Sequence, residues 1–209
     1  MKVSLEALNT SDKAEFVRLL DGLFEAAPWV AEQAYAGRPF ATVAALHDAM
    51  MAAVRGRPRQ DQIEFVACHP DLAGKAARAG AMAPASVAEQ AGLGLDQLSD
   101  DEFRRFERLN SDYRQKFGFP FVICVRRQTR DAVLDAFERR LRNDVDAELA
   151  AALEEIGHIT RLRLVDRVEG AGAPVVTGRL STHVLDTYHG RPAAGVTVAL
   201  FEVGMSARA

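Results

Sequence analysis

From Asn9 to about Asp166 the apolar positions recur almost throughout at helical spacing. Phe16, Leu19, Leu20 and Leu23 form an i, i+3, i+4, i+7 stripe, which predicts a helix opened by Thr10 or Ser11. Arg38-Pro39 then breaks the chain, and Val43, Leu46, Met50 and Val54 mark another amphipathic helix. Ser86-x-x-Glu89 and Ser99-x-x-Glu102 both have the form of a capping box. Behind the second, Phe103, Phe106, Leu109, Asn110, Tyr113 and Phe117 keep helical spacing until Gly118 offers a C-cap. Thr129 can open a further helix with Val133, Phe137 and Leu141 inward, and a last helical stretch runs from about Val145 to Asp166. Only Phe119–Val125 reads as extended, and one short segment makes no sheet. The pattern predicts an all-α, multi-helix bundle over residues 1–168.

The pattern changes after that. Glu169–Val176 is rich in Gly, Ala and Pro with no helical stripe, so residues 169–177 read as a linker. Arg179–Asp186 and Val196–Val203 have strand character and are joined by the turn-like Tyr188-His189-Gly190-Arg191-Pro192. A lone hairpin is marginal in water. Residues 178–209 therefore read as the opening of a β domain.

Composition narrows the function classes. With 48% hydrophobic residues in 209, the chain can build a sizeable core, and no apolar run approaches a membrane span. The N-terminal Met1-Lys2-Val3-Ser4 lacks the apolar region of a signal peptide. A net charge of −3 argues against a nucleic-acid partner. Cys68 and Cys124 lie in apolar surroundings and match no metal spacing, so they read as buried free thiols in a reducing cytoplasm. Five histidines without a His/Cys cluster make a metal site improbable, and no Gly-rich loop follows a strand. A small molecule is the expected partner.

Candidate chemistry concentrates between Cys68 and Gln90. Proline disfavours helical backbone at the residue before it, so His69, preceding Pro70, should sit where the chain leaves the apolar run Ile63–Cys68. There it is either a helix-terminal histidine bonded to a nearby carbonyl or a catalytic acid or base. Ser86 and Glu89 are explained by a capping box alone, yet a helix start can also bind an anion. Arg163 reads either as a solvated helix arginine, as most are, or, lying between leucines, as an inward guanidinium that would demand an anion. Arg104, Arg105, Arg108 and Asp112 read as a solvated face, and His47 and His158 as ordinary helix residues.

Five blocks together resemble a known family. Phe24-Glu25-Ala26-Ala27-Pro28-Trp29, Arg38-Pro39-Phe40, His69-Pro70-Asp71-Leu72, Ser86-Val87-Ala88-Glu89-Gln90 and Asn110–Ile123 are similar, in order from about Leu5 to Val168, to the decarboxylase of 2-oxo-4-hydroxy-4-carboxy-5-ureidoimidazoline (OHCU). The resemblance implies an all-α bundle, a cytoplasmic homodimer, and the step that converts this urate-derived compound to S-allantoin. It implies that His69 is the proton donor, that Glu89 is the carboxylate supporting it, and that Arg163, or its neighbour Arg161, binds substrate. Pro70, Ser86, Val87, Ala88 and Gln90, with the backbone of Phe121, Val122, Ile123, Cys124 and Val125, fall on the segments implied to line the pocket.

The tail carries a second resemblance. Leu180–Thr187 and Gly190-Arg191-Pro192-Ala193 look like the opening strand of 5-hydroxyisourate hydrolase, a transthyretin-like family, with His183 on its first catalytic histidine. That family's later arginine, second histidine and Tyr-Arg-Gly-Ser have no counterpart in these 209 residues, so hydrolase activity is not expected of them alone.

Decarboxylation of such a substrate needs no cofactor. The scissile carboxylate sits next to a C=N bond, which receives the electrons as CO2 leaves. The competing readings are the decarboxylase half of a bifunctional enzyme and a catalytically silent helical interaction module.

Overall fold

The computed structural model describes residues 2–74, 83–174, 185–186, 191–192 and 196–197. Contacts divide the chain into two units, Met1–Val176 and Thr177–Ala209. The first unit is helical: α1 (Leu5–Thr10), α2 (Lys13–Leu20), α3 (Trp29–Ala34), α4 (Val43–Arg55), α5 (Arg59–Ala67), α6 (Pro84–Ala91), α7 (Asp100–Phe117), α8 (Arg130–Arg140) and α9 (Val145–Arg167). It also holds short 3₁₀ turns at Tyr35–Gly37 and Val125–Arg127 and two-residue strands at Val3–Ser4 and Val168–Glu169. The all-α expectation holds.

Helix starts follow local capping chemistry, though two lie elsewhere than the pattern predicted. The N-cap of α2 is Asp12, whose Oδ1 accepts from the Glu15 N–H at 2.9 Å. Thr10 and Ser11 instead end α1, a helix the pattern did not predict. The Ser86–Glu89 capping box does not form: Pro84, with no N–H to lose, begins α6, so Ser86 is its third residue and Glu89 lies mid-helix. The Ser99–Glu102 box is complete, with Ser99 N–H donating to Glu102 at 2.8 Å and the reciprocal bond at 3.3 Å. Gly118 closes α7 at φ 80°, a left-handed conformation that favours glycine.

The longest helix, α9, packs against α4, α5 and α7. Around it lies one apolar core in which Tyr113 is ringed by Phe117, Phe119, Phe121 and Phe137 at centroid distances of 4.5–6.3 Å. Arg38 is structural: its guanidinium donates to the carbonyls of Leu8 and Asn9 in the last turn of α1 and of Ser11 just after it, and lies 3.5 Å over the Tyr35 ring.

Phe119–Val125 is buried coil rather than strand. Its polar backbone is satisfied by side chains from helices: Arg140 Nη1 donates to the Val122 carbonyl at 2.8 Å, and the Cys124 N–H donates to Glu155 at 2.8 Å. Arg140 in turn binds Glu148, which is fully buried and also takes hydrogen bonds from Tyr113 and Asn143. Cys124 is buried as expected, but Cys68 is exposed. It caps the last turn of α5, its Sγ 3.3 Å from the Glu64 carbonyl.

The start of the expected linker is tied to the helical unit. Val168–Glu169 pairs in parallel with Val3–Ser4, and the Val43 N–H donates to the Ala171 carbonyl at 2.9 Å. Gly172, at φ 61°, sits where a Cβ would come within 2.7 Å of Thr42 Cβ. In the second unit Leu185–Asp186 pairs antiparallel with Arg191–Pro192, so two residues assigned to the turn form the partner strand. His183 lies outside the described residues.

Removing one partner of a buried ion pair strands the other charge at a cost of about 3–5 kcal/mol. Glu148→Ala should therefore lower the unfolding free energy by about that amount in urea titrations. The double variant Arg140→Met/Glu148→Leu should recover much of the loss.

Candidate active site

A half-enclosed pocket with about 530 Å³ of empty space, its mouth included, gathers residues from five segments. His69 reaches it because α5 stops two residues earlier. Its N–H closes onto the Val66 carbonyl at 3.1 Å, and its Nδ1 lies 3.3 Å from the Phe65 carbonyl, with the ring edge-on to Phe65. A carbonyl only accepts, so Nδ1 carries the hydrogen and Nε2 of the neutral ring holds the lone pair. Burial pushes the His69 imidazole below the ordinary histidine range, against the charge of Glu25 and the carbonyls of Phe65 and Val66.

The chain after His69 is pinned residue by residue. Arg114 Nε donates to Asp71 at 2.7 Å, Asn110 Nδ2 to the Leu72 carbonyl at 2.9 Å, and the Ala73 N–H to Gln90 Oε1 at 2.9 Å. Ala73 is held at φ 52°, a conformation uncommon for a residue with a Cβ. Both readings of His69 thus meet in one place: it is a helix-terminal histidine bonded to a carbonyl, and it faces a pocket.

Helix α6 contributes Ser86, Glu89 and Gln90, the i, i+3, i+4 positions of one face. Val87 and Ala88, at the intervening positions, do not line the pocket. Pro70, Phe121, Val122, Ile123 and Val125 line it, whereas Cys124 does not; its thiol is pushed up to about 11 by burial and then by Glu155. Helix α9 supplies Ile156, Ile159, Thr160 and Arg163, the inward stripe of that helix. Arg161, two positions from Arg163, is exposed.

Arg163 is the electrostatic centre. Its Nε and Nη2 bind Glu89 at 2.8 and 2.6 Å, its Nη2 donates to Ser86 Oγ at 3.1 Å, and its Nη1 donates to the Leu23 carbonyl at 3.3 Å. Ser86 donates onward to Glu25 at 2.9 Å. Burial opposes the Arg163 charge, but Glu89 and then Glu25 outweigh it and hold the guanidinium above its usual value. The carboxylate expected to steady His69 is thus engaged by Arg163 instead. Glu25, Leu23, Leu72 and Thr160 line the pocket without having been singled out. For Thr160 the signal was available, since it stands three residues before Arg163 on the same helix face.

The family model described as OHCU decarboxylase matches residues 9–165. The chain belongs to the OHCU decarboxylase family. Among its relatives, the 2-oxo-4-hydroxy-4-carboxy-5-ureidoimidazoline decarboxylase of Haloferax volcanii is 40% identical over 166 residues, 79% of this chain and 96% of the relative. The protein of that name from Mus musculus is 36% identical over 159 residues, 76% of this chain and 89% of the relative. A crystal structure of (S)-allantoin synthase superposes with a TM-score of 0.63 at 30% identity, covering 91% of this chain and 62% of that one, so the chain spans about three-fifths of its length. No described helix is long and apolar enough to cross a membrane, and no group of three or more metal-ligating side chains occurs among the described residues.

Behind the pocket of this OHCU decarboxylase family member lies a buried histidine. His47 on α4 is 2% exposed, and its Nε2 lies 3.0 Å from Thr160 Oγ1. The Thr160 hydroxyl hydrogen points at the Ile156 carbonyl, 2.8 Å away, so Nε2 carries a hydrogen and Nδ1 is left without a hydrogen-bond partner. Burial, and then Arg161, lowers His47 to about 4. The unfolded chain therefore binds a proton there more readily than the folded one. Stability should be fully present above pH 6.5 and decline as the pH falls toward 4, by roughly 3 kcal/mol from this site. In pH-dependent urea denaturation, His47→Gln should flatten that decline.

Proposed function

We propose that this protein decarboxylates 2-oxo-4-hydroxy-4-carboxy-5-ureidoimidazoline to S-allantoin without a cofactor. The observation that carries this reading is the convergence of His69, Ser86, Glu89, Gln90 and Arg163 on one pocket, in a chain of this family. Electron flow is supplied by the substrate, whose C=N bond accepts the pair left by the departing carboxylate. The protein then has to orient, exclude water and deliver one proton.

Orientation falls to donors already aimed at the pocket. Arg163 presents a fixed guanidinium, and Gln90 has its amide orientation set by the Ala73 N–H. The apolar walls from Ile123, Val125, Ile156 and Ile159 keep the reacting carbon dry. His69 is the proton donor of this reading. Loss of CO2 leaves an enol conjugated to the former imine; the imidazolium Nε2–H supplies a proton to one face of the former C=N carbon, and the 4-hydroxyl proton passes to the imine nitrogen as the carbonyl forms.

The neutral tautomer set by the Phe65 carbonyl means that His69 must first gain that proton at Nε2. A positioned acid of this kind contributes about 10²–10⁴-fold. His69→Gln should lower kcat by about that factor on substrate generated in situ from urate, with circular dichroism reporting loss of optically pure S-allantoin. Turnover near the wild-type level would overturn the assignment.

The reading includes a cytoplasmic homodimer, as the resemblance implies. Sedimentation equilibrium at assay concentration should return twice the mass of one chain.

A further inference from the structure

Glu25 is a pocket carboxylate to which neither motif nor resemblance gave a role. It sits in the turn between α2 and α3, beside Ala26 at φ 49°, another left-handed conformation at a residue that is not glycine. That turn is registered against His69 by one aromatic residue. Phe24 and Trp29 pack on the Phe65 ring at 6.4 and 5.9 Å, and His69 packs on the same ring at 5.4 Å while its Nδ1 donates to the Phe65 carbonyl.

The charges around the pocket are unequal. Arg163 makes its two-pronged contact with Glu89, and its Nη1 stays 3.6 Å from Glu25. Glu25, with a side chain 12% exposed, instead accepts the Ser86 hydroxyl hydrogen at 2.9 Å. One guanidinium thus stands between two carboxylates, and Glu89 already matches it. The charged side chains that share the pocket with His69 are Glu25 from the α2–α3 turn, Glu89 from α6 and Arg163 from α9; Glu25 favours the imidazolium and Arg163 opposes it.

We propose that Glu25 is the positioning carboxylate that keeps His69 able to take up and hand on its proton, while Glu89 is the fixed counter-ion of Arg163. This rests on the decarboxylase reading above. As the C–C bond breaks and CO2 departs, its electron pair moves onto the imine nitrogen; the His69 Nε2–H bond then breaks, a C–H bond forms at the former imine carbon, and the 4-hydroxyl proton passes to that nitrogen as the carbonyl forms. The neutral imidazole then regains a proton from water, and the Glu25 charge compensates the imidazolium between turnovers.

The test follows the His69 ring resonances by NMR through a pH titration, in wild type, Glu25→Gln, Glu25→Asp and Glu89→Gln. They are assigned by their loss in His69→Gln. Glu25 and His69 line one pocket, and an opposite charge in such a setting moves a titration by about one unit or more. Glu25→Gln should therefore lower the His69 midpoint by about one unit and move the corresponding limb of the kcat/KM profile with it. Glu25→Asp should restore most of the shift, and Glu89→Gln should raise KM more than it moves His69.

A His69 midpoint unchanged in folded Glu25→Gln, or moved further by Glu89→Gln than by Glu25→Gln, would overturn the proposal. Where Glu25→Gln fails to fold, Glu25→Ala takes its place and should lower the His69 midpoint by a similar amount; an unchanged midpoint there overturns the proposal. The NMR titration needs no turnover. A wild type inactive on the substrate would therefore sink the decarboxylase reading while leaving the Glu25–His69 coupling separately measured.

Discussion

A guanidinium buried to nine-tenths beneath apolar walls is the constraint on which the pocket depends. Removing such a charge from water is tolerable only where partners replace the lost hydration. Arg163 finds them in three places: Glu89 and Ser86 on α6, the Leu23 carbonyl, and Glu25 in the turn after α2. Meeting that one demand draws α6 and the α2–α3 turn onto the face of α9 that also carries Ile156, Ile159 and Thr160. The pocket is the space left between them.

A second buried charge does comparable work for the opposite wall. Phe119–Val125 has no strand partner, so its backbone groups would be costly to bury unaided. Arg140 and Glu155 reach in from α8 and α9 to satisfy them, and Glu148 with Tyr113 neutralises and fixes Arg140. An irregular segment thereby acquires the stiffness of the helices around it. The stretch from Asp71 to Ala73 is treated the same way by Arg114, Asn110 and Gln90. Reactive groups carried on loops, with rigid helices to aim them, are a common division of labour.

The two carboxylates of the site illustrate how tertiary contacts assign roles. Glu89 and Glu25 lie 64 residues apart in sequence, yet both reach Arg163. The family resemblance made Glu89 the expected partner for His69. Geometry pairs it with the guanidinium, and brings Glu25 from the α2–α3 turn into the same pocket as His69. The absence of the expected Ser86–Glu89 capping box has a related cause. Pro84 needs no cap, so Ser86 and Glu89 are free to turn toward the pocket from within the helix.

Much of this protein could be read from residue order. The helical period of the apolar positions predicted α4, α7, α8 and α9 close to their observed limits, because a stripe at that spacing can be buried only as a helix. His69-Pro70 marked the chain break, since proline restricts the backbone before it whatever the fold around it. For Arg163 local order left a solvated and an inward guanidinium both open, because leucines on either side do not fix which face of a helix turns inward. Which anion it found was beyond local order. That Glu89 takes Arg163, that Arg161 stays outside, that Phe119–Val125 is held by side chains rather than a sheet, and that Glu25 joins the pocket were decided only by tertiary structure. The physical reason is that a buried charge or carbonyl is satisfied by whichever group packing brings within hydrogen-bond reach, and that group is set by helices meeting across distances the chain order does not record.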